Sequence, residues 1–571
     1  MKKTDFVVRF AGEGGQGFLS AAVGFASANT QAGYHAQTFA TFPSQITGGP
    51  TWMQVRISIA PILSRGDALD VLVVFNDDAY RTHKDEVKEG GVILYDSDKL
   101  ELDDDGRSLG IEFDKLGRST GNVRAANMVM MGALAQLVGM PLDILEDFVA
   151  RRWGNTARYG EKTVPQNIEA LTLGKQVAVE SGFSLGQLAA PVKPDYEQIF
   201  LNGNHAISLG AVHAGLRFFA GYPISPATSI LVWMEENLLG EGRFVYQVGS
   251  EIEAINSIIG ASYSGSRAMT ATAGPGFSLM SEGLGLAWMA EIPCVIVDVQ
   301  RGGPATGLPT KTEQSDLLGA LHPAHGDVML PVIAPGTVEE CFYATVMAFN
   351  WAERYQGPVI LLSEHTLSER EQNIRKPDLS KVLVEDRKVY DGMNGYHRYE
   401  GVELSPMPLP GSPGSYVANA SEHDGMGDTT HLPSRHVQMT ERRFSKLKLL
   451  EDGAYESQNT DSQVALMPWG GSKGPALEAY QQLIAGELDI AWYYTMYLHP
   501  LPAPLLEELK QKELVLVPEL NYLGQFSSYL RSLGIKAEST TQYTGLPFRV
   551  SDLIKRISAR VSANRKASVV A

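Results

Sequence analysis

The chain has 571 residues, too many for one hydrophobic core, so about three or four domains are expected. Apolar side chains make up 44% and charged ones 20%, the balance of an ordinary globular protein, not of a disordered or fibrous one. Lys and Arg number 48 against 65 Asp and Glu, a net charge of −17 that argues against a general nucleic-acid surface and against an anionic membrane.

The start, "MKKTDFVVRFAGEGG", breaks its apolar run too early for a signal peptide, and no later run is long enough to span a bilayer, so a cytoplasmic protein is expected. "DFVVRFAGEGGQGFLSAAVGFASANTQAG" predicts a strand, a glycine turn and a helix. Its "GEGGQG" fits the G-x-G-x-x-G pattern, in which a pyrophosphate rests on helix amides. The acid that should bind the ribose about 20 residues later is missing, because no Asp or Glu occurs between Glu13 and Asp67. NAD is therefore disfavoured, and the turn reads as a close backbone approach lining an anion or acyl-carrier site. "VLVVFN" and "GGVILYD" are further buried strands of a first α/β segment, 1–185.

Pro191 and Pro194 mark a linker over 186–196. A second α/β segment, 197–371, has strand candidates "RAMTATA", "PCVIVDVQ" and "PVILLSE". Residues 372–455 include the proline- and glycine-rich "SPMPLPGSPGSY" and read as an extended connection. The last segment, 456–571, alternates "VALMPW", "GPALEAYQQLIAG", "DIAWYYT", "PLLEELKQ" and "ELVLVPE" as a βαβαβ unit. The fold class is thus α/β, in three α/β domains.

Only Cys294 and Cys341 are present, so a four-cysteine iron–sulfur cluster cannot be built from this chain. His322 and His325 in "HPAHGD" lack a third ligand at useful spacing, so they read as loop or packing residues and no metal site is expected. The second segment holds the productive constellation. In "VGSEIEAINSIIGASYSG", helical spacing puts Glu251 on a face with Ala254, Ile255, Ile258 and Ile259, and Glu253 on the other side with Asn256 and Ser257. Glu251 could simply complement the dipole of a helix capped by Ser250, or it could be a sheltered carboxylate with a chemical role. "GYPISPATS" holds Ser225 in a loop stiffened by Pro223 and Pro226. "TATAGPGFSLM" brings Gly274 and Gly276 after a strand, allowing close backbone approach. "DVQRGGPATGLPTKTEQSD" puts Arg301 at the end of an apolar strand, ahead of Thr306, Thr310 and Lys311. Strand ends of open α/β sheets are where ligands bind, and an arginine there suits a carboxylate as well as a structural salt bridge.

Taken in order, these stretches resemble the 2-oxoacid:ferredoxin oxidoreductase family, in its 2-oxoglutarate type with fused γ and α parts. "GEGGQG" and "GGPTWMQVRIS" carry the likeness in the γ-like part. "NGNHAISLGAVHAGLRFFAGYPISPATS", "SEIEAINSIIGASYSGSRAMTATAGPGFSLM" and "RGGPATGLPTKTEQSDL" carry it in the α part, followed by "SEHDGMGD" and "MTERRFSKL". The resemblance implies a γ-type domain, a thiamine-diphosphate pyrimidine-binding-type domain and a transketolase C-terminal-like domain. It implies that Glu251 hydrogen-bonds N1′ of the aminopyrimidine, with Ile224, Ser225 and Gly274 also lining the coenzyme. Ser225, Arg301, Thr306, Thr310 and Lys311 would hold the substrate, and Gly14, Gly15, Gln16 and Thr47 would form a coenzyme A loop. It further implies a β subunit supplying Mg²⁺ and a [4Fe–4S] cluster, an (αβ)₂ assembly, and ferredoxin as electron acceptor. The implied reaction is CoA-dependent oxidative decarboxylation of 2-oxoglutarate to succinyl-CoA, chemically reversible toward CO₂ fixation. Pyruvate or a branched-chain 2-oxo acid is the alternative substrate, and a non-catalytic scaffold subunit the alternative role.

Overall fold

The computed structural model describes residues 2–43, 49–102, 105–154, 160–393, 395–401 and 404–570, with side chains to 564. It divides into two compact units, Met1–Leu201 with Arg370–Lys376, and Asn202–Glu369 with Pro377–Ala571.

The first unit is built on an eight-stranded sheet. Its order is Ser108–Ile111, Val87–Asp96, Leu69–Val74, Asp5–Glu13, Pro50–Ser58, His35–Thr41, Gln372–Arg375 and Gln198–Leu201. The first four strands run parallel, and their apolar runs are buried on both faces, as parallel strands covered by helices require. Pro50–Ser58 is antiparallel to both of its neighbours. The helices Ala126–Leu137 and Gly160–Glu180 pack backbone against backbone, because a Cβ on Gly132 would fall 1.9 Å from the Leu171 carbonyl oxygen and one on Gly174 1.8 Å from that of Val129.

The second unit carries two sheets. Phe244–Gln247, Phe218–Gly221, Ala268–Thr272, Cys294–Gln300, Pro358–Glu364 and Val332–Ile333 form a parallel sheet, completed at one edge by the antiparallel Tyr497–His499. Glu456–Gln458, Ala491–Tyr494, Val464–Leu466, Leu514–Glu519 and Ala537–Thr541 form the other, parallel except for its first strand. The connecting helices Lys473–Ala485 and Ala503–Lys510 complete the βαβαβ unit read from the sequence. Among the described residues no helix is long and apolar enough to cross a membrane.

Two stretches depart from expectation. Inside the expected linker, Gln187–Leu188 pairs in parallel with Lys2–Lys3, anchored by the buried Leu188. The expected extended connection contains the strand Gln372–Arg375 and the helix Pro433–Ser445. Pro433 starts that helix, where its missing amide hydrogen costs nothing, and the helix buries Met439, Arg442 and Arg443. Two buried arginines disguise its inner face as a polar one.

Candidate active site

Glu251 opens the helix Glu251–Tyr263. Ser250 Oγ accepts from the Glu253 amide at 3.3 Å, while the Glu253 carboxylate accepts from the Gly249 amide at 2.8 Å and the Tyr246 hydroxyl at 3.0 Å. Together they satisfy the start of the helix, much as a capping box does. Glu251 takes no part. It is 5% exposed, on the buried face with Ala254, Ile255, Ile258 and Ile259, while Glu253 faces solvent. Among the described residues no group donates a hydrogen bond to the Glu251 carboxylate. The Glu251 side chain turns to the packed face and makes none of the bonds that close the helix start, so the helix dipole alone does not account for its position.

The strand Ala268–Thr272 turns at Ala273 into the helix Gly274–Leu279. A Cβ on Gly276 would lie 2.4 Å from Glu251 Oε1 and 2.2 Å from Thr272 Oγ1. Glycine is what lets this turn close down beside the carboxylate.

Arg301 follows the strand Cys294–Gln300 and is 7% exposed. Its Nη1 donates to the Ser225 carbonyl at 2.7 Å, which ties the Ile224–Ser225 loop to the end of the strand, and its Nε has no partner. Burial lowers the guanidinium pKa and the charge of Asp316 opposes the drop. The loop beyond is closed by Leu308 donating its amide to the Gly302 carbonyl at 2.8 Å and Gly302 donating to the Lys311 carbonyl at 3.0 Å. Thr306 is exposed in this loop, whereas Thr310 and Lys311 are half-buried and burial lowers the Lys311 pKa. The chain is then pinned to the C-terminal sheet, where the Gln314 amide donates to the Leu520 carbonyl at 2.7 Å and the Leu520 amide returns to Gln314 Oε1 at 2.9 Å.

Glu251 is thus gathered with the Gly274–Gly276 turn, and Arg301 with Ser225. Among the described residues Thr306 is hydrogen-bonded to neither group. Gly14, Gly15 and Gln16 lie in the other unit, in an exposed turn where Gln16 Oε1 accepts from the Glu13 amide at 2.8 Å. Thr47 lies outside the described residues.

Sequence reasoning missed two acids. Asp298 is fully buried, in register with Thr272 across the sheet, and neither of its carboxylate oxygens has a partner. Burial, and after it the charge of Asp316, pushes its pKa well up. A lone acid inside "CVIVDVQ" was the available signal. Asp316 is the second, and a Cβ on Gly274 would fall 2.7 Å from its Oδ2. Among the described residues no three His, Cys, Asp or Glu side chains gather in a metal-binding arrangement.

Comparison with known proteins defines the class first. A family model described as "Pyruvate flavodoxin/ferredoxin oxidoreductase, thiamine diP-bdg" matches residues 209–441, and one described as "Pyruvate ferredoxin/flavodoxin oxidoreductase" matches residues 7–177. The 2-oxoglutarate oxidoreductase subunit KorA of Mycobacterium tuberculosis is 30% identical, over 97% of this chain and 91% of its own. The 2-oxoglutarate synthase subunit KorA of Methanocaldococcus jannaschii is 36% identical over 59% of this chain and 92% of its own. The solved structure of 2-oxoglutarate:ferredoxin oxidoreductase from Magnetococcus marinus, with 2-oxoglutarate, coenzyme A and succinyl-CoA bound, is 37% identical, with a TM-score of 0.93 and coverage of 98% of this chain and 100% of that one. The chain belongs to the 2-oxoacid:ferredoxin oxidoreductase family, as the order of its motifs implied.

Proposed function

We propose that the chain is the α subunit of a 2-oxoglutarate:ferredoxin oxidoreductase and supplies the aminopyrimidine half of a thiamine diphosphate site. The observation that carries this is the Glu251 carboxylate, sheltered, without a protein partner, and walled by a turn that admits only glycine. Those residues fit the coenzyme: Glu251 would hold a proton at the ring nitrogen, with Ile224, Ser225 and Gly274 around it. Thiamine diphosphate, when bound, supplies the electron sink for decarboxylating a 2-oxo acid. Arg301 would hold a substrate carboxylate, with Ser225, Thr306, Thr310 and Lys311 as further contacts.

The reaction consumes 2-oxoglutarate, coenzyme A and two oxidised ferredoxins, and yields succinyl-CoA, CO₂, a proton and two reduced ferredoxins; it runs in reverse when ferredoxin is sufficiently reduced. Two buried cysteines cannot ligate a [4Fe–4S] cluster, so a β subunit would carry the cluster and would also supply the Mg²⁺ for the diphosphate, in a cytoplasmic (αβ)₂ assembly. Gly14, Gly15, Gln16 and Thr47 are the candidate coenzyme A loop.

The test is the copurified complex, assayed by CoA-dependent viologen reduction. It should prefer 2-oxoglutarate over pyruvate by roughly 100-fold or more in kcat/KM. A preference for pyruvate, or NAD serving as acceptor, would overturn the reading. The glycine wall gives a second expectation. Gly276→Ala drives a methyl into Glu251 and Thr272, and overpacking of about 1–3 kcal/mol weakens thiamine diphosphate binding roughly tenfold without breaking the complex. Titration of the coenzyme-free complex reads this directly, and unchanged affinity would place the coenzyme elsewhere.

A further inference from the structure

Asp316 occupies the N-cap position of the helix Leu317–Leu321, yet its side chain makes no capping hydrogen bond. Gln525 caps the helix instead, its Oε1 accepting from the Leu318 amide at 3.0 Å and its Nε2 donating to the Ser315 carbonyl at 2.6 Å. The Asp316 amide is fastened to Gln300 Oε1 at 3.1 Å. Its backbone is held on both sides while its carboxylate, released from capping, lies against Gly274, where a Cβ would meet Oδ2 at 2.7 Å and Oδ1 at 3.0 Å.

Asp316 Oδ2 has no partner, nor has Arg301 Nε, nor either carboxylate oxygen of the fully buried Asp298. Three neighbouring side chains with unused hydrogen-bonding capacity, out of water, call for a ligand that completes them. The charged and titratable groups facing Asp316 are Arg301 at the strand end, Glu313 in its own loop and Asp298 within the strand; Gln300, Gln525 and the Gly274 turn bring no charge. Burial, with Glu313 adding to it and Arg301 opposing, pushes the Asp316 carboxyl up to about 6. In an empty site near neutrality it is mostly ionised, and an anion arriving beside Arg301 pushes it further up.

Resting on the assignment of Arg301 to the substrate, we propose that Asp316 is a positioning residue that takes up one proton from solvent when a 2-oxo acid carboxylate is seated at Arg301. Protonation removes a like charge from beside the incoming anion and leaves the guanidinium to the substrate. The proton returns to solvent on release, so the carboxyl O–H bond is the only one made and broken in this step.

Two measurements on the αβ complex test this. The wild-type KM for 2-oxoglutarate rises roughly tenfold between pH 6 and 7.5, whereas Asp316→Asn, which mimics the neutral acid, holds KM within about twofold of its low-pH value. Binding of glutarate, an unreactive dicarboxylate, followed by calorimetry in two buffers of different ionisation enthalpy, shows uptake of about half a proton or more at pH 7 in the wild type and almost none in the variant. A variant that keeps the wild-type slope while losing affinity at every pH would reduce Asp316 to a structural residue and overturn the inference. A wild type that turns over 2-oxoglutarate with a flat KM and binds glutarate without proton uptake would overturn it too, leaving the substrate reading intact. A wild type that neither turns over 2-oxoglutarate nor binds glutarate would overturn both.

Discussion

Glu251→Gln in the assembled αβ enzyme lowers kcat by about 10²–10⁴-fold, the range typical of losing a group that exchanges a proton with the reacting system. Glutamine keeps the size of the side chain and its place at the head of the helix, so the complex still forms. Losing an acid from a first helical turn costs only about 0.3–1 kcal/mol. The comparison that isolates the effect is Glu253→Gln. Glu253 anchors the helix start through Gly249 and Tyr246 and faces solvent, so its loss touches stability and leaves kcat alone. Stopped-flow reduction of a viologen acceptor gives kcat for both variants. If Glu251→Gln behaved like Glu253→Gln, with kcat within about twofold of wild type, Glu251 would be no more than a dipole partner and the coenzyme assignment would fall.

The parts of this site that could be read from the sequence share a property: each is announced within a few residues of itself. The spacing of Glu251 against Ile255, Ile258 and Ile259 separates it from Glu253, and "PCVIVDVQ" and "PVILLSE" correspond to the buried strands Cys294–Gln300 and Pro358–Glu364. What escaped is held by partners far along the chain. His35–Thr41 is a fully buried strand although it reads His-Ala-Gln-Thr-Phe-Ala-Thr, because Thr38 Oγ1 accepts from the Glu371 amide at 3.0 Å and the Ala36 amide donates to Asn373 at 2.9 Å. Those bonds span more than 300 positions. Asp316 looks like an ordinary N-cap, and only Gln525, 207 positions beyond the amide it caps, shows that the capping role has moved. The helix Pro433–Ser445 escaped for a related reason: its buried Arg443 pairs with Glu422, and its buried Arg442 with a carboxylate far earlier in the chain.

That carboxylate is Glu291, and Glu291→Gln should be the most destabilising conservative change in the second unit. Glu291 is fully buried at φ 54°, just past the helix Ser281–Met289. It accepts from Arg442 Nε at 2.8 Å and Nη2 at 3.1 Å, sits 3.0 Å from Lys446 Nζ, and lies 3.7 Å from Arg398 Nη2. Burial alone would raise its carboxyl, but Lys446, Arg442 and Arg398 together hold it well below the ordinary carboxylate range. Its contribution is therefore complete above the unfolded carboxylate pKa and survives mild acid, being lost only as pH falls through the depressed folded value. All three cations come from the segment after residue 377, so one negative charge fastens that segment to the sheet-bearing part of the unit. Without it Arg442, Lys446 and Arg398 lose the buried carboxylate they share. Breaking even a simple buried pair costs about 3–5 kcal/mol, and this case belongs at the top of that range. The loss should appear locally before it appears globally, as faster amide hydrogen exchange across residues 398–450 and a lower thermal midpoint. Removing one cation as well, in Glu291→Gln with Lys446→Met, should recover part of the loss, because burial already pulls Lys446 down to about 8 and it gives up its charge most readily. Unchanged exchange in the single variant would mean that hydrogen bonds to the Gly401 carbonyl and to Ser405 hold Arg442 and Arg398 by themselves, with the ion pairs adding nothing.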